Sequence, residues 1–185
     1  TAATGMDALT QLIEPFTCRR ANPLTDALCR EAIPRAARAL PRTFAGDPAA
    51  RTDMAYASLC GGLALANAGL GAVHGFAAPI GGMFLAPHGA VCAALLPQVF
   101  AANAKRKPDR FAEVSKMLGA GTTGESGAIW LENLIRKLGI PGIPTYGIME
   151  EDFPEIILKA NEASSMKANP VELSNVELNE ILRQS

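Results

Sequence analysis

The sequence predicts an all-α fold, a multi-helix bundle, and three observations predict it. Runs of alternating β-branched or aromatic residues are nearly absent, and aromatics make up only 5% of the 185 residues, whereas strands favour those types. Alanine recurs throughout, and it is the strongest intrinsic helix former. Helix start and stop signals are frequent and well placed. With 49% hydrophobic and 19% charged residues, the chain has the composition of one domain, residues 1–185, with a sizeable core.

Thr4 is the expected N-cap of a first helix over residues 5–14, with Pro15 near its end. Asn22-Pro23 opens a second, because proline is tolerated in a first helical turn. It carries Leu24, Leu28, Ile33 and Ala37 toward Leu40, and Pro34 is expected to kink or divide it. Asp47-Pro48 opens a third, with Met54, Leu59, Leu63 and Ala66 at helical spacing. Further helices fit residues 72–78, 88–103, 108–118, 125–138, 151–161 and 174–184. Gly139 follows Arg136-Lys137 as a C-terminal cap does, and Ser174 with Glu177 has the pattern of a capping box. The pairs Gly69/Gly71 and Gly81/Gly82 read as close helix packing and a turn rather than phosphate loops. No GxGxxG follows a strand, so the chain offers no dinucleotide site of its own.

The formal net charge is −1, which leaves no basic field for nucleic acid or an acidic membrane. Lys105-Arg106-Lys107, the longest basic cluster, reads as a solvated helix end. Cys18, Cys29, Cys60 and Cys92 are widely and irregularly spaced with no CxxC pair. They are expected to be reduced thiols in a cytoplasmic protein, not a disulfide framework or zinc finger. No basic region followed by an apolar run opens the chain, so no signal peptide is expected. Thr1 leads straight into a helical pattern, from which the chain is expected to be a fragment.

From Met54 to Ala104 there is no Asp, Glu, Lys or Arg. Ser58, Asn67, Pro79, Pro87 and Pro97 interrupt this stretch, and no window gives the ~20 strongly apolar residues of a membrane span. A buried central core is the expected account. Both histidines of the chain, His74 and His88, lie inside it. A buried imidazole needs partners, since burying an unpaired polar group costs roughly 1–3 kcal/mol. The residues alone leave two readings open: core histidines bonded to backbone carbonyls, or two ligands of one cation.

Three segments carry a resemblance that bears on this choice: Thr4-Gly5-Met6-Asp7-Ala8-Leu9-Thr10-Gln11-Leu12-Ile13-Glu14, Asn67-Ala68-Gly69-Leu70-Gly71-Ala72-Val73-His74-Gly75-Phe76, and Gly81-Gly82-Met83-Phe84-Leu85-Ala86-Pro87-His88-Gly89-Ala90. In this order and spacing they resemble the iron-containing (group III) alcohol dehydrogenases. Asn22-Pro23-Leu24-Thr25-Asp26-Ala27-Leu28 and Asn169-Pro170 are similar to that family too. The resemblance implies a helical C-terminal domain that binds metal. It also implies an N-terminal dinucleotide-binding domain, absent from this chain, that would hold NAD or NADP. The family's metal, iron or sometimes zinc, is held by an Asp, a His four residues later, and two His fourteen residues apart. Those positions are Asp7, Gln11, His74 and His88 here.

Two positions depart from that pattern. Gln11 stands where the family has a histidine, and Ala78 stands where it often has one near the substrate. An amide oxygen is a weaker ligand than imidazole, yet Asp7, His74 and His88 still make a two-His, one-carboxylate set suited to Fe(II). The resemblance implies a Lewis-acid role for Fe(2+) or Zn(2+), lowering the pKa of a small alcohol before hydride passes to the nicotinamide. It also implies a homodimeric parent protein. Two other functions stay open: a metal-independent reductase similar to the maleylacetate reductases, and a helical domain used only for binding or assembly.

Overall fold

The computed structural model describes residues 1–185, and the chain folds into ten α-helices with no strand. They are α1 (Ala2–Thr17), α2 (Pro23–Phe44), α3 (Ala50–Asn67), α4 (Ala72–Met83), α5 (His88–Ala104), α6 (Pro108–Leu118), α7 (Gly124–Leu138), α8 (Phe153–Glu162), α9 (Ser164–Ala168) and α10 (Asn175–Gln184). Short 3₁₀ turns at Ile143–Tyr146 and Glu150–Asp152 join α7 to α8.

Nine of the ten helices stand in the order the sequence predicts, α9 is an additional short helix that the sequence does not signal, and several ends differ for local reasons. Thr4 does not cap α1: the helix starts at Ala2, and the Thr4 hydroxyl donates back to the Thr1 carbonyl. Nor does Pro15 end it. Phe16 beyond the proline is fully buried, and the Thr17 hydroxyl bonds the Ile13 carbonyl across the last turn. Pro34 does not divide α2, which runs on through Pro41. An interior proline costs about 3 kcal/mol, and burial of Ile33, Ala36, Ala37 and Leu40 on one face offsets it at roughly 1.5–3 kcal/mol per large side chain. α3 begins at Ala50, because the Asp47 carboxylate accepts the Ala49 amide and holds the preceding turn. The cap at Gly139 and the capping box at Ser174 form as expected.

α1 and α5 occupy the centre. α1 packs against α2, α3 and α5, and α5 against α4, α6, α7 and α10; α4 also meets α8 and α9. Met6, Leu9, Leu12 and Ile13 of α1 and Val91, Leu95, Leu96 and Phe100 of α5 are buried between these layers. The uncharged stretch is only partly core. Much of α4 and α5 is buried, but α3 turns Leu59 and Leu63 outward, 62% and 46% exposed. No single helix is long and apolar enough to cross a membrane, and the apolar pair α3–α4 is bent by 96° at its break.

Gly69 makes the turn into α4 with φ +118°. Gly81 and Gly82 lie in the last turn of α4, not in a turn between helices, and a Cβ at either would meet nothing within 4 Å. The connection between the two histidine-bearing helices is therefore short, Phe84 to Pro87.

Candidate metal centre

Asp7 and Gln11 sit one turn apart on α1, His74 in the first turn of α4, and His88 at the start of α5. The fold brings all four together. Asp7 Oδ1 is 3.3 Å from His74 Nε2 and 3.8 Å from His88 Nε2, and the two imidazole rings lie 5.5 Å apart. The Gln11 amide nitrogen donates to the other Asp7 oxygen at 3.1 Å. A fifth group completes the cluster: Cys92 Sγ, one turn along α5, is 3.5 Å from His88 Nε2. The donor atoms of Asp7, His74, His88 and Cys92 all lie within 4.8 Å of one another.

Glu14 holds His74 in place. It lies two turns beyond Asp7 on α1, is 4% exposed, and takes the His74 Nδ1 at 2.7 Å. The same carboxylate accepts the backbone amides of Val73 at 2.7 Å and His74 at 3.4 Å. A negative charge at a helix N-terminus is favourable, so Glu14 both caps α4 and orients the ring it carries. Asn169 accepts the Ala72 amide at 3.1 Å and exchanges side-chain amide bonds with Asn103. Gly71 makes this close approach possible, since a Cβ there would lie 2.8 Å from Glu14 Oε1 and 3.0 Å from Asn169 Oδ1.

His74 therefore pairs with two carboxylates rather than with backbone carbonyls. Burial works against its charge, but hydrogen bonds with Asp7, Cys92 and Glu14 and the charge of Glu14 outweigh burial, and its pKa is pushed up to about 12. Burial also opposes the Asp7 charge. The bond to His74, the charges of His74 and His88 and the Gln11 amide overcome it, leaving the Asp7 pKa below its ordinary value. Burial pushes the Cys92 thiol up. Oxygen, nitrogen and sulfur donors converge here beside buried negative charge, and such a set fits a divalent cation in place of the His74 proton.

The donors stand on an edge of the bundle. His88 is half exposed and Asp7 partly so, and Ala78, one turn beyond His74, is exposed. A cleft of about 400 Å³ between α1, α2 and α3 is lined by Thr4, Ala8, Leu40, Met54 and Ser58 and holds none of the donors.

Over residues 1–185 the chain matches the model of the Fe-containing alcohol dehydrogenase family, C-terminal. The chain belongs to that family. It is 38% identical to 1,3-propanediol dehydrogenase of Citrobacter freundii over 100% of this chain and 50% of that protein. Lactaldehyde reductase of Escherichia coli K12 is 36% identical over 92% of this chain and 47% of that one. Among solved structures, a 1,3-propanediol oxidoreductase superposes with a TM-score of 0.95 at 38% identity, over 100% of this chain and 51% of the other. The iron-containing alcohol dehydrogenase from Thermococcus thioreducens gives 0.89 at 30% identity, over 98% and 49%. The chain spans about half the length of the relatives it matches. Its helical fold is that of the iron-containing alcohol dehydrogenases.

Asp7, Gln11, His74 and His88 were accessible from spacing and resemblance. Glu14, Asn103, Asn169 and Cys92 join them only through the fold. Glu14 lies seven residues after Asp7 and Cys92 four after His88, so helical periodicity places each beside a candidate ligand, which is the one signal that could have found them.

Proposed function

We propose that the chain is the helical catalytic half of an NAD(P)-dependent oxidoreductase that interconverts a small alcohol with its aldehyde or ketone. Asp7, His74 and His88 hold a divalent cation, iron or zinc. The observation that carries this reading is the convergence of Asp7 Oδ1 on both imidazole Nε2 atoms, at 3.3 and 3.8 Å. A cation held there supplies Lewis acidity toward the substrate oxygen. The protein's own residues supply orientation. Glu14 fixes which nitrogen of His74 faces Asp7, and Gln11 fixes the turn of the Asp7 carboxylate. Ala78 offers no titratable group for proton exchange one turn beyond His74.

The nicotinamide, NAD or NADP, belongs to an N-terminal dinucleotide-binding domain outside residues 1–185. The whole protein is a homodimer in the cytoplasm. The outward apolar side chains of α3 are consistent with burial against further protein, and four free cysteines suit a reducing compartment. Gln11 and Ala78 favour a second reading, a metal-independent reductase similar to the maleylacetate reductases.

Elemental analysis of protein purified without chelator, for wild type and His74→Ala, separates the two. Stoichiometric iron or zinc, lost in the variant, is expected. Metal no higher than background after iron or zinc is supplied would leave the metal-independent reductase.

A further inference from the structure

We propose that Cys92 is the fourth metal donor of this chain, in the role that Gln11 gives up, and that the resulting oxygen, nitrogen, nitrogen, sulfur set selects zinc over ferrous iron. This rests on the reading of Asp7, His74 and His88 as a metal site and goes beyond it.

The distances support the assignment. Zinc bonds of about 2.0–2.1 Å to nitrogen and oxygen and about 2.3 Å to sulfur, directed tetrahedrally, require donor separations of about 3.3 Å between O and N and about 3.6 Å between S and N. Asp7 Oδ1 to His74 Nε2 is 3.3 Å, His88 Nε2 to Cys92 Sγ is 3.5 Å, and Asp7 Oδ1 to His88 Nε2 is 3.8 Å. These three separations are close to those of such a tetrahedron, and all four donors lie within 4.8 Å of one another, so small shifts would draw them onto one cation. Cys92 is fully buried and its sulfur is in no disulfide. Placed one turn after His88, it approaches from the protein side while the half-exposed His88 borders solvent.

Gln11 is engaged elsewhere. Its amide nitrogen bonds Asp7 Oδ2, the oxygen turned away from the two histidines. Flipping the amide to offer its oxygen would set two acceptors against each other. Gln11 thus holds the carboxylate, and Cys92 is the residue left to complete the set. A thiolate is a soft ligand that favours zinc, whereas two histidines and one carboxylate alone suit ferrous iron. Zinc also stands above iron in the general affinity order.

Cobalt(II) is the probe, because a thiolate bound to it gives a near-ultraviolet charge-transfer band in addition to the visible bands that any ligand set gives. Chelator-stripped chain is titrated with cobalt(II) chloride as wild type, Cys92→Ala and Gln11→Ala. Wild type and Gln11→Ala are expected to show the charge-transfer band saturating with one cobalt, and Cys92→Ala only visible bands. Anaerobic competition between equal zinc and ferrous iron is expected to load zinc on wild type, with the preference reduced at least tenfold in Cys92→Ala. Visible bands without the charge-transfer band in wild type would overturn the Cys92 assignment and leave the three-ligand site standing. Failure of wild type to take up cobalt at all would sink both readings.

Discussion

With Nδ1 bonded to Glu14, His74 can offer only Nε2 to a cation. Outer partners of this kind fix the tautomer of a ligating imidazole and raise its basicity, and losing one typically lowers metal affinity about 10–100-fold. Glu14→Gln keeps the volume and removes the charge. Zinc titration by calorimetry is expected to show an affinity loss in that range with the helical circular dichroism unchanged. An unaltered affinity would mean that Glu14 serves only to cap α4. The sequence made this part of the site only half legible. Asp7, Gln11, His74 and His88 stand at recognisable spacings. The role of Glu14 depends on α1 meeting α4, a contact between residues 60 apart in the chain, and no local pattern states it. Cys92 is obscured for another reason: a buried cysteine normally behaves as a small hydrophobic residue, so its place four residues after His88 is a weak signal until the fold puts it within 4.8 Å of three other donors.

At the scale of helices, the site depends on how closely α5 can approach α1. Gly89, next to His88, sets that distance. A Cβ there would lie 2.4 Å from the Ala3 carbonyl oxygen and 2.7 Å from its carbon, both backbone atoms that cannot swing aside. Gly89→Ala must therefore push the first turn of α5 outward and carry His88 away from Asp7. Metal uptake is expected to fall at least tenfold, and thermal stability of the metal-free protein by about 1–3 kcal/mol, the usual size for overpacking. A variant that binds zinc as wild type does would show that α5 tolerates the shift. The helices themselves were largely legible, because capping signals at Asn22, Ser174 and Gly139 are local chemistry. Their ends were less so. Pro15 and Pro34 are breakers by local rules, and each helix continues past its proline because the residues on the far side are core. α9 is a single turn and more, placed by contact with α4 rather than by any signal of its own.

Across the whole molecule, the donors come from α1 and, 67 residues on from Asp7 to His74, from α4 and α5, which a four-residue link joins and which pack on each other. The unfolded chain cannot assemble that set, so a cation that binds it stabilises the fold by mass action. At a free concentration about 100 times its dissociation constant the gain is about 2.7 kcal/mol, less whatever the unfolded histidines and cysteine retain. For a domain of this size each kcal/mol raises the melting temperature by about 2–4 °C, so zinc is expected to raise it by roughly 5–11 °C. Scanning calorimetry with zinc and with chelator measures the difference directly. His74→Ala must abolish the shift, because removing that side chain frees α4 from the cluster while leaving α1 and α5 packed on each other. A shift that persists in His74→Ala would place the bound zinc elsewhere on the chain. A wild type that melts at one temperature in both conditions would mean that the helices assemble without a cation, with the His74 proton between Asp7 and Glu14 sufficient to hold them.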